Sequence, residues 1–282
     1  MIGLRRSDQA DYLSDRWRWP SFLKKKILAR KIFLCAASRK GVKVMKILVV
    51  NPNSSEIVSE VIMRSARKKA RPSTELVLLT NPSGTKNIDC AFADYMSSHS
   101  HLKACLKKVR EIKPDAVVLA GFGNVGIIAL KEALEIPVVS MSEATMAMAC
   151  LMGHKFSTIT MLNQFIPYQE DLVKLYGFKN KCASCRSINI NVEKAACERE
   201  RTLAELKEEV LKVVKEDNAE VIILACAGLC GYEDELSAMI GLPVLDPVVV
   251  AVKVAEMMVE GGFFHSKVRK FAFPSQSIGS YL

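Results

Sequence analysis

The sequence predicts an α/β protein made of two pseudo-symmetric half-domains, each with a parallel sheet, and an active cleft between them. Two observations support this fold class. From Met45 onwards, short runs of apolar and β-branched residues alternate with longer helical patterns, which is typical of parallel α/β folds. The segment from Asp115 to Gly123 also resembles the segment from Glu220 to Gly228 at a constant offset of 105 residues, which indicates an internal repeat.

Eight apolar, β-branched runs are predicted as strands, and helical patterns lie between them. The strands are Lys46–Val50, Glu75–Leu79, Ala116–Ala120, Val138–Ser140, Ser157–Met161, Arg186–Ile190, Val221–Ala225 and Val244–Asp246. The helices include Ser55–Lys69, His99–Ile112, Val125–Leu134, Gln164–Tyr176, Ala195–Glu216 and Val248–Glu260. The helix predicted from Ala195 carries one apolar stripe on an otherwise charged surface, which indicates that only that stripe faces the core.

The repeat divides the chain into two halves of similar plan. Ile136-Pro137-Val138 matches Leu242-Pro243-Val244 at an offset of 106 residues. We therefore expect one half-domain over residues 45–153, a second over residues 154–262, and a C-terminal segment over residues 263–282 that returns to the body. Because ligands of open parallel sheets bind beyond the carboxyl ends of the strands, the site is expected between the halves.

Nearly all of the net charge of +10 lies in residues 1–44, which hold twelve Lys and Arg against three Asp. The remaining 238 residues are almost neutral. We interpret residues 1–44 as a disordered or non-native basic extension and expect the real start at Met45. The acids Asp8, Asp11 and Asp15 are unlike a transit peptide, and no motif accompanies the charge. We therefore expect neither a nucleic-acid nor a membrane partner.

Composition and cysteine usage indicate a cytoplasmic enzyme without a metal. Half of the residues are apolar, which excludes global disorder, and no uninterrupted apolar run reaches 18 residues. Most of the nine cysteines lie inside apolar or helical segments, and no secretory signal precedes them. Cys182 and Cys185 have the spacing of redox or zinc pairs, but no second pair or histidine cluster completes four ligands.

Six segments in chain order carry a family resemblance. They are Asn51-Pro52-Asn53-Ser54, Gly121-Phe122-Gly123-Asn124, Ser142-Glu143-Ala144, Lys155 to Thr160, Ala225-Cys226-Ala227-Gly228, and Gly262 to Lys267. Together they resemble the aspartate/glutamate/hydantoin racemase superfamily, and most of all its hydantoin and allantoin racemase branch. The resemblance implies cofactor-independent proton exchange at a carbon next to a carbonyl, with one cysteine on each face of a small-molecule substrate.

The resemblance assigns the acid–base thiol to Cys226. This residue follows a predicted strand, and helix N-terminal N–H groups at such a turn lower a thiol pKa. The backbone N–H groups of Ala227 and Gly228 are candidates to stabilise an enolate oxygen. The other residues expected to line the cleft are Asn53, Ser54, Gly121, Phe122, Gly123, Asn124, Glu143 and Thr160. Structural alternatives also exist: Cys226 as a small buried residue, Asn53 and Ser54 as helix caps, and Glu143 as a partner of backbone amides.

The chain departs from the two-cysteine pattern at Gly121. This residue matches Cys226 in the repeat, where a two-cysteine racemase has a cysteine, and glycine has no side chain to titrate. Three interpretations stay open. The protein is a one-cysteine enzyme similar to arylmalonate decarboxylases, although the residues after Gly121 lack that enzyme's adjacent hydroxyls. Alternatively, Cys90 or a water serves the open face, or racemase activity has been lost.

The sequence therefore predicts a cofactor-independent racemase of hydantoin-like or allantoin-like molecules that forms a homo-oligomer. A one-cysteine decarboxylase is the enzymatic alternative, and a small-ligand-binding protein derived from a racemase is the non-enzymatic one. Nucleotide binding is weakly indicated, because the glycines between Gly121 and Gly126 fit the dinucleotide fingerprint only after a shift and lack its acidic partner.

Overall fold

The structure is a computed structural model that describes residues 44–191, 195 and 198–280. The expected basic extension lies outside the described residues as far as Lys43, and so does part of the predicted start of the helix at Ala195. From Val44 onwards the chain forms one compact unit.

Two four-stranded sheets form the framework, and all their strand pairs are parallel. The strands are β1 (Met45–Asn51), β2 (Thr74–Thr80), β3 (Ala116–Leu119), β4 (Val138–Ser140), β5 (Phe156–Thr160), β6 (Cys182–Ser187), β7 (Val221–Leu224) and β8 (Val244–Leu245). The first sheet has the order β2-β1-β3-β4 and the second has the order β6-β5-β7-β8. The two orders are the same arrangement repeated, which confirms the predicted α/β class with two similar parallel sheets.

Helices connect the strands and cover the sheets. They are α1 (Glu56–Lys69), α2 (Ala91–Ile112), α3 (Ile127–Ala133), α4 (Met141–Met152), α5 (Ile166–Leu175), α6 (Arg199–Asp217), α7 (Glu233–Ile240) and α8 (Pro247–Glu260). Short 3₁₀ turns occupy Asn163–Phe165, Ala227–Leu229, Arg269–Phe271 and Ile278–Ser280. None of the helices in the described ranges is long and apolar enough to cross a membrane.

Two elements begin well before their predicted starts. β6 begins four residues before the predicted start, because pairing with β5 places the polar run from Cys182 in the sheet. This strand lies at the sheet edge and is only partly buried, so its side chains show no apolar pattern. α2 begins at Ala91 instead of His99, and its first turns expose Phe92 and Tyr95 to solvent.

The two halves exchange their last helices. α4 follows the first sheet but contacts β5 and β7 of the second. α8 follows the second sheet but packs against α1, β1, β3 and β4. One apolar core therefore runs through both halves and includes Val118, Met146, Ile223 and Ala251. Burial of this shared apolar surface holds the two sheets in one arrangement.

A buried carboxylate, that of Asp246, fixes the position at which α8 begins. Asp246 caps the helix, and its Oδ1 accepts hydrogen bonds from Val248 N at 2.8 Å and Val249 N at 3.1 Å. Its Oδ2 accepts a hydrogen bond from the Ser65 hydroxyl of α1. Burial raises the pKa of Asp246, and these hydrogen bonds oppose that rise. The helix start is thus tied to the first half.

The C-terminal segment packs against the first sheet. His265 Nε2 accepts a hydrogen bond from the backbone N–H of Val138 at the start of β4, at 2.8 Å. Lys267 donates to the carbonyls of Lys131 and, at 3.0 Å, Glu132, at the end of α3. Burial and the nearby positive charges of Lys131 and Lys267 lower the pKa of His265 to about 4. The imidazole is therefore neutral at pH 7, and only in this form can Nε2 accept the hydrogen bond from Val138.

We expect His265→Gln to weaken the pH dependence of stability. The imidazole has a pKa near 6.5 in the unfolded state and about 4 in the folded state. Between these pH values the unfolded state therefore binds a proton that the folded state does not bind, which favours unfolding. The native chain should lose about 1–2 kcal/mol relative to the variant as the pH falls through this window. Urea unfolding at several pH values measures the difference. His99→Gln, an exposed substitution on α2, is the control, and equal slopes for native and His265→Gln proteins would contradict the assignment.

Candidate active site

A cavity of about 590 Å³ lies between the two sheets, at the carboxyl ends of their central strands. The first half contributes Pro52 and Asn53 after β1, and residues 120–123 after β3. The second half contributes Thr160 and Met161 at the end of β5, and residues 225–228 after β7. The cavity has a size typical of small-molecule sites and occupies the place expected for parallel sheets.

In the turn after β3 of the first half, neighbouring side chains pack closely against Gly121 and Gly123. A Cβ atom at Gly121 would lie 2.7 Å from Pro52 Cγ, closer than real contacts allow. A Cβ atom at Gly123 would lie 3.3 Å from Tyr168 Cε1. The proline ring of the first loop thus packs where a side chain at position 121 would begin. Phe122 is buried between these glycines and lines the cavity.

The second-half turn after β7 presents Cys226 to the cavity. The residue has extended backbone geometry, and the 3₁₀ turn Ala227–Leu229 follows it directly. Burial raises the pKa of the Cys226 thiol to about 11, although the backbone N–H groups of Gly228 and Leu229 favour the thiolate. The sequence-based expectation of a lowered pKa is therefore wrong, because loss of hydration outweighs the N–H groups of the turn.

Asn53 lines the cavity while also organising the first loop. Its Oδ1 accepts hydrogen bonds from the backbone N–H of Ser55 and from Asn51 Nδ2, both at 2.9 Å. Ser55 in turn caps α1 by accepting from Val58 N at 3.4 Å. The helix cap is thus Ser55, and Asn53 holds the residues that precede it.

Three residues expected in the cleft do not line the cavity. The backbone N–H of Ser54 donates to the Thr85 carbonyl at 3.0 Å. Asn124 has a positive φ of 63°. Its Oδ1 accepts hydrogen bonds from Ser140 Oγ and Ser142 Oγ, both at 3.1 Å, at the start of α4. Glu143 forms an ion pair with the buried Lys131. Each therefore has a structural partner away from the cavity, and the partner of Glu143 is a lysine side chain instead of the backbone amides noted as its alternative.

The helix α5 supplies cavity residues that the sequence did not indicate. Tyr168 places its hydroxyl 2.5 Å from Asp94 Oδ2 and 2.6 Å from the Gly123 carbonyl oxygen. Burial, followed by the Asp94 contacts, raises the pKa of Tyr168. Gln169 is buried and donates through Nε2 to the Ala225 carbonyl at 3.3 Å. A tyrosine and a glutamine in an amphipathic helix usually face solvent, so the helical pattern gave no signal for them.

Cys90 also borders the cavity, at the start of α2, where it is exposed. It belongs to the stretch from Asn87 to Ala91 that forms one wall. In the described parts of the chain, no group of three or more His, Cys, Asp or Glu side chains is arranged to hold a metal ion. The ionisable side chains that line the cavity are Asp89, Cys90, Asp94, Tyr168, Asp171 and Cys226.

We expect Gly121→Ala to destabilise the protein by about 1–3 kcal/mol, since the new methyl group meets the Pro52 ring and forces the loop to shift. The free energy of unfolding in urea measures this cost. Gly279→Ala is the matched control, because no atom lies within 4 Å of its added Cβ. Equal stability of the two variants would show that the first loop yields freely.

Comparison with known proteins agrees with this architecture. The profile of the Asp/Glu/Hydantoin racemase family matches residues 47–255. A hydantoin racemase of Paenarthrobacter aurescens is 34% identical over 233 residues, covering 82% of this chain and 98% of that protein. The allantoin racemases of Pseudomonas fluorescens (34% identity, TM-score 0.77) and Klebsiella pneumoniae (30% identity, TM-score 0.79) each cover 83% of this chain, and 98% and 95% of their own chains are covered. The chain belongs to the Asp/Glu/hydantoin racemase family of isomerases.

Proposed function

We propose that this protein is a cofactor-independent racemase of hydantoin-like or allantoin-like molecules, and that Cys226 is its acid–base thiol. The observation that carries the proposal is the position of Cys226, which lines the cavity at the carboxyl end of β7. The similar racemases, which are named for hydantoin and allantoin, support the substrate class. Both compounds have an acidic C–H bond on a carbon next to a carbonyl, and proton exchange by such racemases acts on this type of bond.

Cys226 is suited to the proton-donating half of the reaction. Because its pKa is raised to about 11, the thiol is protonated at neutral pH. It can then protonate a substrate carbanion, and the N–H groups of Gly228 and Leu229 stabilise the thiolate that remains. In the opposite direction, that thiolate removes the proton from the substrate. The same sulfur thus serves both directions on its face of the substrate.

The turn after β3 supplies no thiol, because Gly121 occupies the position that is equivalent to Cys226 in the repeat. We propose that a water in the cavity or the Cys90 thiol carries the proton there. Cys90 supports this role because it lines the same cavity from the start of α2. Cys90→Ser separates the two: a loss of racemisation identifies the thiol, and unchanged racemisation identifies water.

A one-cysteine decarboxylase is the second candidate, and Gly121 is the observation that favours it. A single thiol is sufficient to protonate one face of the carbanion that loss of CO₂ leaves. A protein that only binds a ligand would keep the cavity and tolerate the loss of Cys226. Assays with disubstituted malonates, beside hydantoins and allantoin, distinguish these functions.

We also propose that the protein is a cytoplasmic homo-oligomer. The seven cysteines in the described ranges are free thiols, as is usual in a reducing compartment. On α2, Phe92, Tyr95 and Met96 lie on one face, and between 56% and 78% of each residue is exposed. An apolar helix face of this kind supports contact with a second copy. The molar mass in light scattering tests the oligomer.

We expect the native protein to exchange the α-proton of a hydantoin or allantoin for deuterium in D₂O, and Cys226→Ala to lose at least about hundredfold of this rate. Proton NMR follows the exchange, and polarimetry follows racemisation. Cys150→Ser is the control, because Cys150 is not among the residues that line the cavity. Full exchange by Cys226→Ala would remove the thiol from the mechanism, and release of CO₂ from malonates without racemisation would favour the decarboxylase.

We expect Gly121→Cys to raise the racemisation rate above that of Gly121→Ala, because only the cysteine variant restores a thiol at the equivalent turn. Both variants add the same Cβ against Pro52, so the cost of that contact is matched. The comparison of kcat for the two variants by polarimetry therefore isolates the sulfur. Equal rates would show that position 121 does not face the reacting carbon.

A further inference from the structure

The thiols of Cys182 and Cys185 lie together on the edge strand β6. Their Sγ atoms are 3.8 Å apart. Residues three apart in a regular strand point to opposite faces of a sheet. Here, Cys182 pairs with Phe156 and Ser184 pairs with Ser157, so Ala183 is an extra residue in the ladder. This irregularity brings both cysteines to one face.

The two thiols have unequal chemistry. The hydrogen bond from Cys182 lowers the pKa of Cys185, while burial opposes this effect. The same hydrogen bond raises the pKa of Cys182. Both residues are partly exposed at the sheet edge. The arrangement thus combines a partly exposed cysteine of lowered pKa with a second thiol in contact with it.

We propose that Cys182 and Cys185 form a modification site for small disulfides, with Cys185 as the attacking thiol and Cys182 as the resolving thiol. The Cys185 thiolate attacks one sulfur of a disulfide such as oxidised glutathione, forms a mixed disulfide and releases one glutathione thiolate. Cys182 then attacks the Cys185 sulfur, forms the intramolecular disulfide and releases the second glutathione, which takes the Cys182 proton. The protein dithiol loses two electrons, and oxidised glutathione gains them.

Buried hydrogen bonds connect this site to the cavity. Cys185 is the cross-strand partner of Thr158 on β5. The Thr158 hydroxyl donates to Gln169 Oε1 at 2.6 Å, and Gln169 Nε2 donates to the Ala225 carbonyl at 3.3 Å, next to Cys226. Thr158 and Gln169 are buried, so water does not readily replace these partners.

We therefore expect oxidation to disturb one wall of the cavity. A disulfide requires the sulfur atoms to approach from 3.8 Å to about 2.05 Å, and we expect this approach to tighten β6 between the two residues. α5 packs against β6 and supplies Tyr168 and Gln169 to the cavity. Movement of the strand changes the packing of that helix and the hydrogen bond from Thr158.

Tryptic digestion provides a direct test, because cleavage after Lys181 and Arg186 releases both cysteines in one five-residue peptide. The full-length protein is incubated with oxidised glutathione, alkylated with iodoacetamide under denaturing conditions and digested. We expect the peptide without alkyl groups and two hydrogens lighter than its dithiol form. A doubly alkylated peptide, or a stable glutathione adduct on the native chain, would overturn the proposal.

Single variants test the order of the steps. Cys182→Ser should stop at one glutathione on Cys185, whereas Cys185→Ser should react at least about tenfold more slowly at the remaining thiol. Cys150→Ser is the matched control and should form the disulfide like the native protein, since Cys150 lies outside the pair. The same reactivity of both single variants would contradict the assigned roles.

Hydrogen exchange tests the link to the cavity without a substrate. The oxidised native protein should exchange the amides of α5 at least about threefold faster than the reduced protein, because its buried anchor at Thr158 is disturbed. Cys185→Ser treated with oxidised glutathione should show no such change. Equal exchange in oxidised and reduced native protein would limit the site to β6 and refute its connection to the cavity.

Discussion

The arrangement of the site depends on the exchange of α4 and α8 between the halves. Each helix buries its apolar face against the other half, so one continuous core joins both sheets. Asp246 and Glu256 reinforce the contact of α8, since their buried oxygens accept hydrogen bonds from residues of the first half. Leaving such donors without a partner costs free energy, which favours one arrangement of the sheets. The cavity therefore owes its shape to contacts that lie outside it.

The duplication brings two equivalent turns to the cavity, but they differ in chemistry. Cys226 provides a thiol at one turn, whereas Gly121 provides only backbone at the other. Pro52 packs against the position where a side chain at 121 would begin, so the difference extends beyond one missing sulfur. Tyr168 and Asp94 add polar groups on the glycine side. The cavity is thus asymmetric within a symmetric framework.

Much of the fold followed from the sequence because strand and helix periods are local signals. The buried strands β1, β3 and β7 contain continuous apolar runs, and their alternation with helices predicts parallel sheets. The apolar pattern predicts the start of β6 four residues too late, because an edge strand can be polar and still pair through its backbone. The apolar pattern does not predict the early start of α2, because the exposed apolar residues there do not follow the pattern of a buried face.

The sequence by itself determined the duplicated plan, the family resemblance and the absence of a thiol at Gly121, since these are properties of residue order. Only the tertiary structure decided which polar residues reach the cavity. It pairs Glu143 with Lys131 and directs the Asn124 side chain towards Ser140. It also brings Tyr168 and Gln169 to the wall of the cavity. It also raised the pKa of Cys226, because burial is set by packing between distant segments and not by the turn alone.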